Sequence, residues 1–426
     1  MRKDYINLSH KPTRKEFVAE YYLEPAQGYS IERVANAVAG ESSIDTWSDI
    51  KTLSPAIVKR LKPSVFHINK RQGIVKIAYS AELFEPGSIS QLLSSLAGNI
   101  LSMKMVANIK LLDVTLPKEY VESFKGPLYG IKGIRQVLKI KNRPLLGTIV
   151  KPKLGLKPGE HALVAYRAWV GGIDLVKDDE NLTNQCFNPF KARVRAVLKL
   201  RKKAEKVTGK RKAYMPNITA PTTEELLARA RFVKGLGCEY AMVDIITTGW
   251  TALQSLREYN QKLKLILHGH RCMHSAFTRN PKHGVAMLVV AKLTRLIGLD
   301  QLHIGTVIGK MEGTKREVLD IEHEMEAPSI GEMPLHHVLS QKWWHIKPLM
   351  PVASGGLQPL MIPQLYKYFG NDIVLQFGGG IHAHPSGTES GARAVYQALE
   401  ATLKGIPLKT HAKTHRELAE AFKKWG

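Results

Sequence analysis

The chain has 426 residues, 44% of them hydrophobic, enough for one large buried core and a smaller one. Its three cysteines, Cys186, Cys238 and Cys272, are too scattered for a disulfide framework, no apolar run approaches the roughly 20 residues that cross a bilayer, and the opening MRKDYINLSHKPTRKEF lacks the apolar stretch of a secretory signal. A soluble cytoplasmic protein is therefore expected, and 62 Lys and Arg against 37 Asp and Glu, a net charge of +25, narrow its partners to nucleic acid or anionic small molecules.

Residues 1–125 read as a mixed α+β domain. GIVKIAY at 73 alternates with period two and predicts a strand, and ISQLLSSLAGNI at 89 predicts a helix capped by a serine. The boundary falls near 126–133, and residues 126–426 read as the second domain. From residue 145 eight short apolar runs recur, beginning at 145, 172, 213, 240, 264, 301, 350 and 373, with helix-length segments between most of them, as at 223–236 and 282–297. Eight strand-helix units predict an α/β fold with a (β/α)8 barrel, whose active site lies at the carboxyl ends of the strands. Nearly every run ends in reactive or anion-friendly residues: Lys151 and Lys153, Lys177 to Glu180, His268 to Arg271, His303, Ser354 to Gly356, Gly378 to Gly380.

The segment GGIDLVKDDEN at 171 carries the sharpest signal. On a buried strand Lys177 and Asp179 face the same side, and Glu180 joins them where the strand ends. A charged ammonium would repel a metal there. A neutral amine that adds carbon dioxide becomes a carbamate, completing three oxygen donors for a hard ion such as magnesium. An internal salt bridge is the ordinary alternative.

KLRKKAEKVTGKRK at 199 has no interleaved aromatics and reads as a solvated helix face. His268 and His270 alternate on a strand and face one side. Such a pair also suggests zinc, as in amidohydrolase-type barrels with a carbamylated lysine, but there it lies on the first strand and here on the fifth. For each histidine an internally bonded core residue is the ordinary alternative. GTVIGKMEG at 305 reads as a lid around Lys310, or as a plain glycine-rich loop. The glycines at 355–356 and 378–380 offer bare N–H groups to an anion, or make tight turns. Thr414 to Trp425 predicts an amphipathic basic helix, with Thr414 and Glu417 spaced as a capping box.

GESSIDTW at 40, AGN at 97, GTIVKPKLGL at 147, GGIDLVKDDEN at 171, HGHRCMH at 268, HIGTVIGKMEG at 303, PVASGG at 351 and LQFGGG at 375 occur in one order over most of the chain. With these motifs the chain resembles the large subunit of ribulose-1,5-bisphosphate carboxylase/oxygenase (RuBisCO), most of all its archaeal form III or intermediate II/III branch. The resemblance implies that carbamylated Lys177, Asp179 and Glu180 hold Mg²⁺. It makes Lys177 also the base for the C3 proton, Lys151 the proton donor at the end of the reaction, Lys153 a support for the enediolate charge, and His270 a catalytic hydrogen-bonder. Arg271 and His303 are implied for one phosphate, and Gly378 and Gly379 with Gly355, Gly356, Thr46 and Trp47 for the other. Ser354 is implied for a sugar hydroxyl, His268 and His274 for the support of these groups, and Lys310 for the new carboxylate. Glu41, Thr46, Trp47 and Asn99 are implied to complete a neighbouring subunit's site, which makes the active unit a homodimer or a larger assembly of dimers, without small subunits. Leu175, Asp45, Ile149 and Ile304 depart from the usual pattern without removing a ligand or proton donor; they bear on affinity and gas preference.

Three functions follow. The first is carboxylation of ribulose 1,5-bisphosphate by CO2 to two molecules of 3-phosphoglycerate, with O2 competing. The second is a RuBisCO-like enolase or isomerase, which usually lacks some of Glu41, Asn99, Lys151 and Lys310, all present here. The third is nucleic-acid binding through the basic charge.

Overall fold

The computed structural model describes residues 4–46, 50–309 and 313–426. They form two compact units, each assembled from separate stretches of chain. One comprises Met1–Gly126, Met273–Ile297 and Ala327–Ile346; the other comprises Pro127–Cys272, Gly298–Glu326 and Lys347–Gly426.

The first unit is built on a 5-stranded sheet in the spatial order Gly284–Val285, Val106–Thr115, Glu16–Pro25, Ile74–Ser80, Ser64–Asn69. The predicted strand is Ile74–Ser80, and the predicted helix is Ile89–Leu96, where the Ser88 hydroxyl accepts from Gln91 N at 3.3 Å. That helix is shorter than expected because Gly98 breaks it, and a 3-10 turn at Asn99–Ser102 follows. Helix Met287–Ile297 packs here, buried along its whole length. Its Lys292 Nζ lies 2.7 Å from Asp113 Oδ1, both side chains wholly buried. Asp113 Oδ2 also accepts from Leu339 N at 2.7 Å, so one carboxylate joins all three stretches of the unit.

The second unit is the predicted barrel. Its eight strands are Leu145–Ile149, Leu175–Lys177, Ala213–Met215, Tyr240–Asp244, Ile266–His270, Gln301–Gly305, Met350–Ser354 and Val374–Phe377, all pairing in parallel. Hydrogen bonds from Met242 N to Pro216 O (2.9 Å) and Ile218 N to Met242 O (2.9 Å) close the ring between the third and fourth strands. The runs read as continuous apolar stretches because both strand faces are covered. Inside, Leu145, Leu175, Met215, Tyr240, Met242, Val352 and Val374 share one core with Ile131, Ile134 and Leu138 of helix Gly130–Leu138.

At the amino-terminal ends of the strands, buried carboxylates are fully engaged in structure. Asp300 accepts from Tyr129 N (2.7 Å), Gly130 N (2.9 Å) and Leu267 N (3.0 Å). Asp174 takes two bonds from Arg143, at 2.7 and 2.8 Å. Lys199 to Lys212 falls on and just beyond helix Phe190–Thr208, as a largely solvated face with Arg201 turned inward to Glu239. The last helix spans Arg416–Trp425. The capping box expected there does not form: Thr414 Oγ1 donates to His411 O at 3.3 Å, and Glu417 Oε2 accepts from Gln397 Nε2 at 2.7 Å instead. No helix among the described residues is long and apolar enough to cross a membrane.

Breaking one half of a buried ion pair leaves the other charge uncompensated, which costs about 3–5 kcal/mol. Lys292→Met should therefore lower stability by about that amount, read from the midpoint of chemical denaturation, whereas breaking the solvent-screened Lys282–Glu24 pair should leave the midpoint nearly unchanged.

Candidate active site

The second strand ends in Lys177, and alternation then turns successive side chains to different surroundings. Asp178 points away from the barrel interior into a wholly buried cluster. Its carboxylate accepts from Tyr214 OH (2.6 Å), Arg193 Nε (3.0 Å) and Asn217 N (3.0 Å), with His161 Nε2 at 3.0 Å. Burial alone would raise the Asp178 carboxyl, but Arg193 and His161 outweigh it and hold the group ionised far below its usual range.

Lys177 is wholly buried inside the barrel. Its Nζ donates to Asp178 O at 2.8 Å and lies 3.4 Å from Met242 Sδ, while Glu180 Oε2 is 3.9 Å away. Burial lowers its pKa against the opposing pull of Glu180, Asp179 and Asp244. The amine is thus easier to deprotonate than an ordinary lysine. The first strand contributes two more cations beyond its end. Lys151 Nζ is 2.6 Å from Asp179 Oδ2, and Lys153 Nζ is 3.3 Å from Glu180 Oε1 and 4.0 Å from Asp179 Oδ1. Asp179 and Glu180 therefore collect three lysines around two carboxylates.

The histidines fill the opposite side of the rim. His270 Nδ1 is 3.2 Å from Asp244 Oδ1, and its Nε2 is 3.7 Å from Glu180 Oε2. His268 Nε2 lies 2.9 Å from His303 Nε2, and its Nδ1 is 3.0 Å from Gln301 Oε1. Burial, helped by the Lys177 charge, pushes His268 down to about 3, and burial with neighbouring His270 takes His303 well below its ordinary value. These rings are neutral at physiological pH. Arg271, on the fifth strand's exit, has its guanidinium against Gly305, where a Cβ would meet Nη2 at 2.9 Å. Burial lowers Arg271 to about 10 against the opposing pull of Glu317, leaving it charged.

Ser354 ends the seventh strand, followed by Gly355 and Gly356 at φ +133° and +79°, a backbone that side chains rarely adopt. After the eighth strand, a Cβ on Gly378 would lie 3.5 Å from Lys151 Cε. Lys151, Lys153, Lys177, Asp179, Glu180, His270, Arg271, Ser354, Gly355, Gly356, Gly378 and Gly379 sit at the carboxyl-terminal rim of one barrel, and His268 and His303 lie just below it, within the fifth and sixth strands.

Glu41 and Thr46 belong to the first unit, where they line a cleft of about 310 Å³ with Tyr5, Arg33 and Asp45. Tyr5 OH donates to Asp45 Oδ2 at 2.8 Å. Asn99 opens the 3-10 turn, exposed, and His274 bonds Thr278 Oγ1 at 2.8 Å. Trp47 and Lys310 lie outside the described residues.

Sequence reasoning missed Asn217 and Asp244. Asn217 Nδ2 donates to Glu180 O at 3.1 Å, and Asp244 accepts from Thr219 Oγ1 at 3.4 Å while facing His270. Both stand at or just beyond the end of an apolar run, the same signal that marked the residues found. His382, at 2.8 Å from Ile149 O, had no such signal.

The fold and rim define a barrel enzyme whose site gathers lysines, carboxylates and neutral histidines. Residues 130–425 match the family described as ribulose bisphosphate carboxylase large chain, catalytic domain, and residues 4–120 match its N-terminal domain. The chain belongs to the RuBisCO large-chain family. A ribulose bisphosphate carboxylase of Methanosarcina acetivorans is 56% identical over 425 residues, covering 100% of this chain and 99% of its own length. That of Pyrococcus furiosus is 47% identical, covering 99% and 97%. Among solved structures, a dimeric archaeal Rubisco from Hyperthermus butylicus superimposes with a TM-score of 0.94 at 46% identity, covering 99% of this chain and 98% of that one. An octameric Rubisco from Pyrococcus horikoshii, complexed with sulfate, gives 0.92 at 44% identity, covering 99% and 96%.

Below the ordinary histidine value of 6.5 the unfolded chain takes up a proton that folded His268 refuses until about 3. Stability should therefore fall as pH drops through that window, by up to about 1.4 kcal/mol per pH unit for each such histidine. Denaturant titrations between about pH 6 and 4 should show His268→Gln reducing this slope by one histidine's share.

Proposed function

We propose that this chain is a ribulose-1,5-bisphosphate carboxylase/oxygenase, converting ribulose 1,5-bisphosphate and CO2 into two molecules of 3-phosphoglycerate, with O2 as the competing substrate. The observation that carries the reading is Lys177: a wholly buried amine with a lowered pKa beside Asp179 and Glu180, on the rim of a barrel from this family. The full-length match to carboxylases at 56% and 47% identity favours carboxylation over the RuBisCO-like enolase or isomerase.

Magnesium fits the donor set. A neutral Lys177 amine takes up CO2 as a carbamate, and with Asp179 and Glu180 it offers the hard oxygen ligands that Mg²⁺ requires. When bound, the ion supplies Lewis acidity towards the oxygens of the sugar. Lys177 in carbamylated form takes the proton from C3 of the bisphosphate. His270, neutral and held by Asp244, hydrogen-bonds the reacting hydroxyls. Lys153 supports the negative charge of the enediolate, and Lys151 returns a proton to the product carbon.

Arg271 and His303 bind one phosphate. Gly355, Gly356, Gly378 and Gly379 bind the other through backbone N–H groups with Thr46 and Trp47, and Ser354 holds a sugar hydroxyl. Lys310 closes over the site and meets the new carboxylate. Residues 1–125, through Glu41, Thr46, Trp47 and Asn99, complete the site of a second copy, so the working unit is a homodimer or an assembly of dimers, acting in the cytoplasm without small subunits. The dimeric Rubisco of Hyperthermus butylicus and the octameric one of Pyrococcus horikoshii support a dimer or an assembly of dimers.

Fixation of ¹⁴C-bicarbonate into acid-stable product, after preincubation with CO2 and Mg²⁺, should be robust in the wild type and lost by at least about 10³-fold in Lys177→Ala and Lys310→Ala. A folded wild-type protein that forms no product but enolises the bisphosphate would overturn the carboxylase reading. Because only the neutral amine adds CO2, and Lys177 titrates below an ordinary lysine, activation should speed up with rising pH and level off earlier than for an exposed lysine. The rate of CO2 activation against pH measures this.

A further inference from the structure

We propose that Glu400, His411 and His415 form a second metal site, for a borderline divalent transition ion such as Zn²⁺, at the junction between helix Gly387–Leu403 and the terminal helix Arg416–Trp425. One ligand atom from each of the three side chains lies within 4.8 Å of the others. The cluster is built from the last turn of one helix and the turn leading into another, and none of its residues belongs to the barrel rim.

Three features of the imidazoles suit a metal rather than a simple hydrogen-bond cluster. His411 is 8% exposed, and its Nε2 is buried without a hydrogen-bond partner. An unsatisfied nitrogen in that position costs stability unless something accepts its lone pair. His415 Nδ1 lies 2.8 Å from His411 O. A carbonyl only accepts, so the proton sits on Nδ1 and the lone pair of neutral His415 is on Nε2, the arrangement in which an outer bond orients a metal-binding imidazole. The two rings stack with centroids 3.6 Å apart and planes 17° from parallel, which brings their nitrogens together at the expense of mutual repulsion should either ring be charged. Burial and His415 accordingly lower the pKa of His411.

Glu400 supplies the charge. Lys404 Nζ donates to its Oε1 at 2.8 Å and holds the carboxyl ionised, leaving Oε2 for a ligand. Two imidazoles and one carboxylate with an open fourth position match tetrahedral zinc at about 2.0–2.1 Å per ligand. They are a poor set for magnesium, which takes oxygen donors. Binding requires the His411 ring to turn about χ2 out of the stack, while His415 keeps its Nδ1 bond to His411 O. The ion would then staple the terminal helix to helix Gly387–Leu403, beside the bonds of Gln397 to Glu417 Oε2 (2.7 Å) and Leu418 N (3.0 Å).

The test uses the full-length protein, stripped with a chelator and titrated with Zn²⁺ by calorimetry, with Co²⁺ absorption as a second probe of imidazole ligation. The wild type should bind one more equivalent of Zn²⁺ than His415→Ala, and Glu400→Gln should bind that equivalent at least tenfold more weakly. Any Zn²⁺ taken by the barrel carboxylates is common to all three proteins and cancels. Zn²⁺ should also raise the melting temperature of the wild type more than that of His415→Ala. Equal stoichiometry and affinity in the wild type and both variants would overturn the site.

Discussion

The buried Asp178 carboxylate is the constraint on which the site depends. It receives hydrogen bonds from Tyr214 on the third strand, Arg193 on helix Phe190–Thr208 and the backbone of Asn217, and faces His161 of helix Pro158–Val170. Bonds to a charged group are each worth about 1.5–3 kcal/mol, and together they pin the point where the second strand ends. Because side chains alternate, fixing Asp178 outward places Lys177 and Asp179 inward. The carbonyl of the same residue then anchors the Lys177 amine. A charge cluster that faces away from the rim thus sets the aim of the residues on it.

The rim itself is a balance of opposed charges kept out of water. Asp179 and Glu180 draw Lys151, Lys153 and Lys177 together, while burial favours the neutral forms of Lys177, His268 and His303. Lys151 Nζ, 2.6 Å from Asp179 Oδ2, is the closest of these contacts. At the other end of the barrel Asp174 and Asp300 each accept three hydrogen bonds, from backbone or arginine donors. One end of the strands is spent on holding the fold, the other on chemistry, as the barrel architecture divides them.

Much of this was legible in sequence, for reasons visible in particular residues. The eight apolar runs became eight strands because a parallel barrel buries both faces of each strand. Lys177, His270 and Gly378 stood out because they follow such runs at their carboxyl ends. Asn217 and Asp244 follow runs in the same way, but an asparagine or aspartate after a strand is also common turn chemistry, which masked them. The terminal helix was foreseen, but its start was not. Thr414 and Glu417 have capping-box spacing, yet His411 O and Gln397 supply nearer partners.

The sequence alone determined the number and order of strand-helix units, the clustering of reactive residues at their ends and the family, because periodicity, motif order and composition are written along the chain. Only the tertiary structure decided that helix Met287–Ile297 and residues 327–346 pack with the first unit, since an apolar face does not name its partner. It alone decided that Lys177 is wholly enclosed with a lowered pKa, that Asp178 faces the opposite way into its own cluster, and that His411 and His415 stack beside Glu400. Burial, and the charges met across it, depend on residues far apart in sequence, and those are what set protonation and hence reactivity.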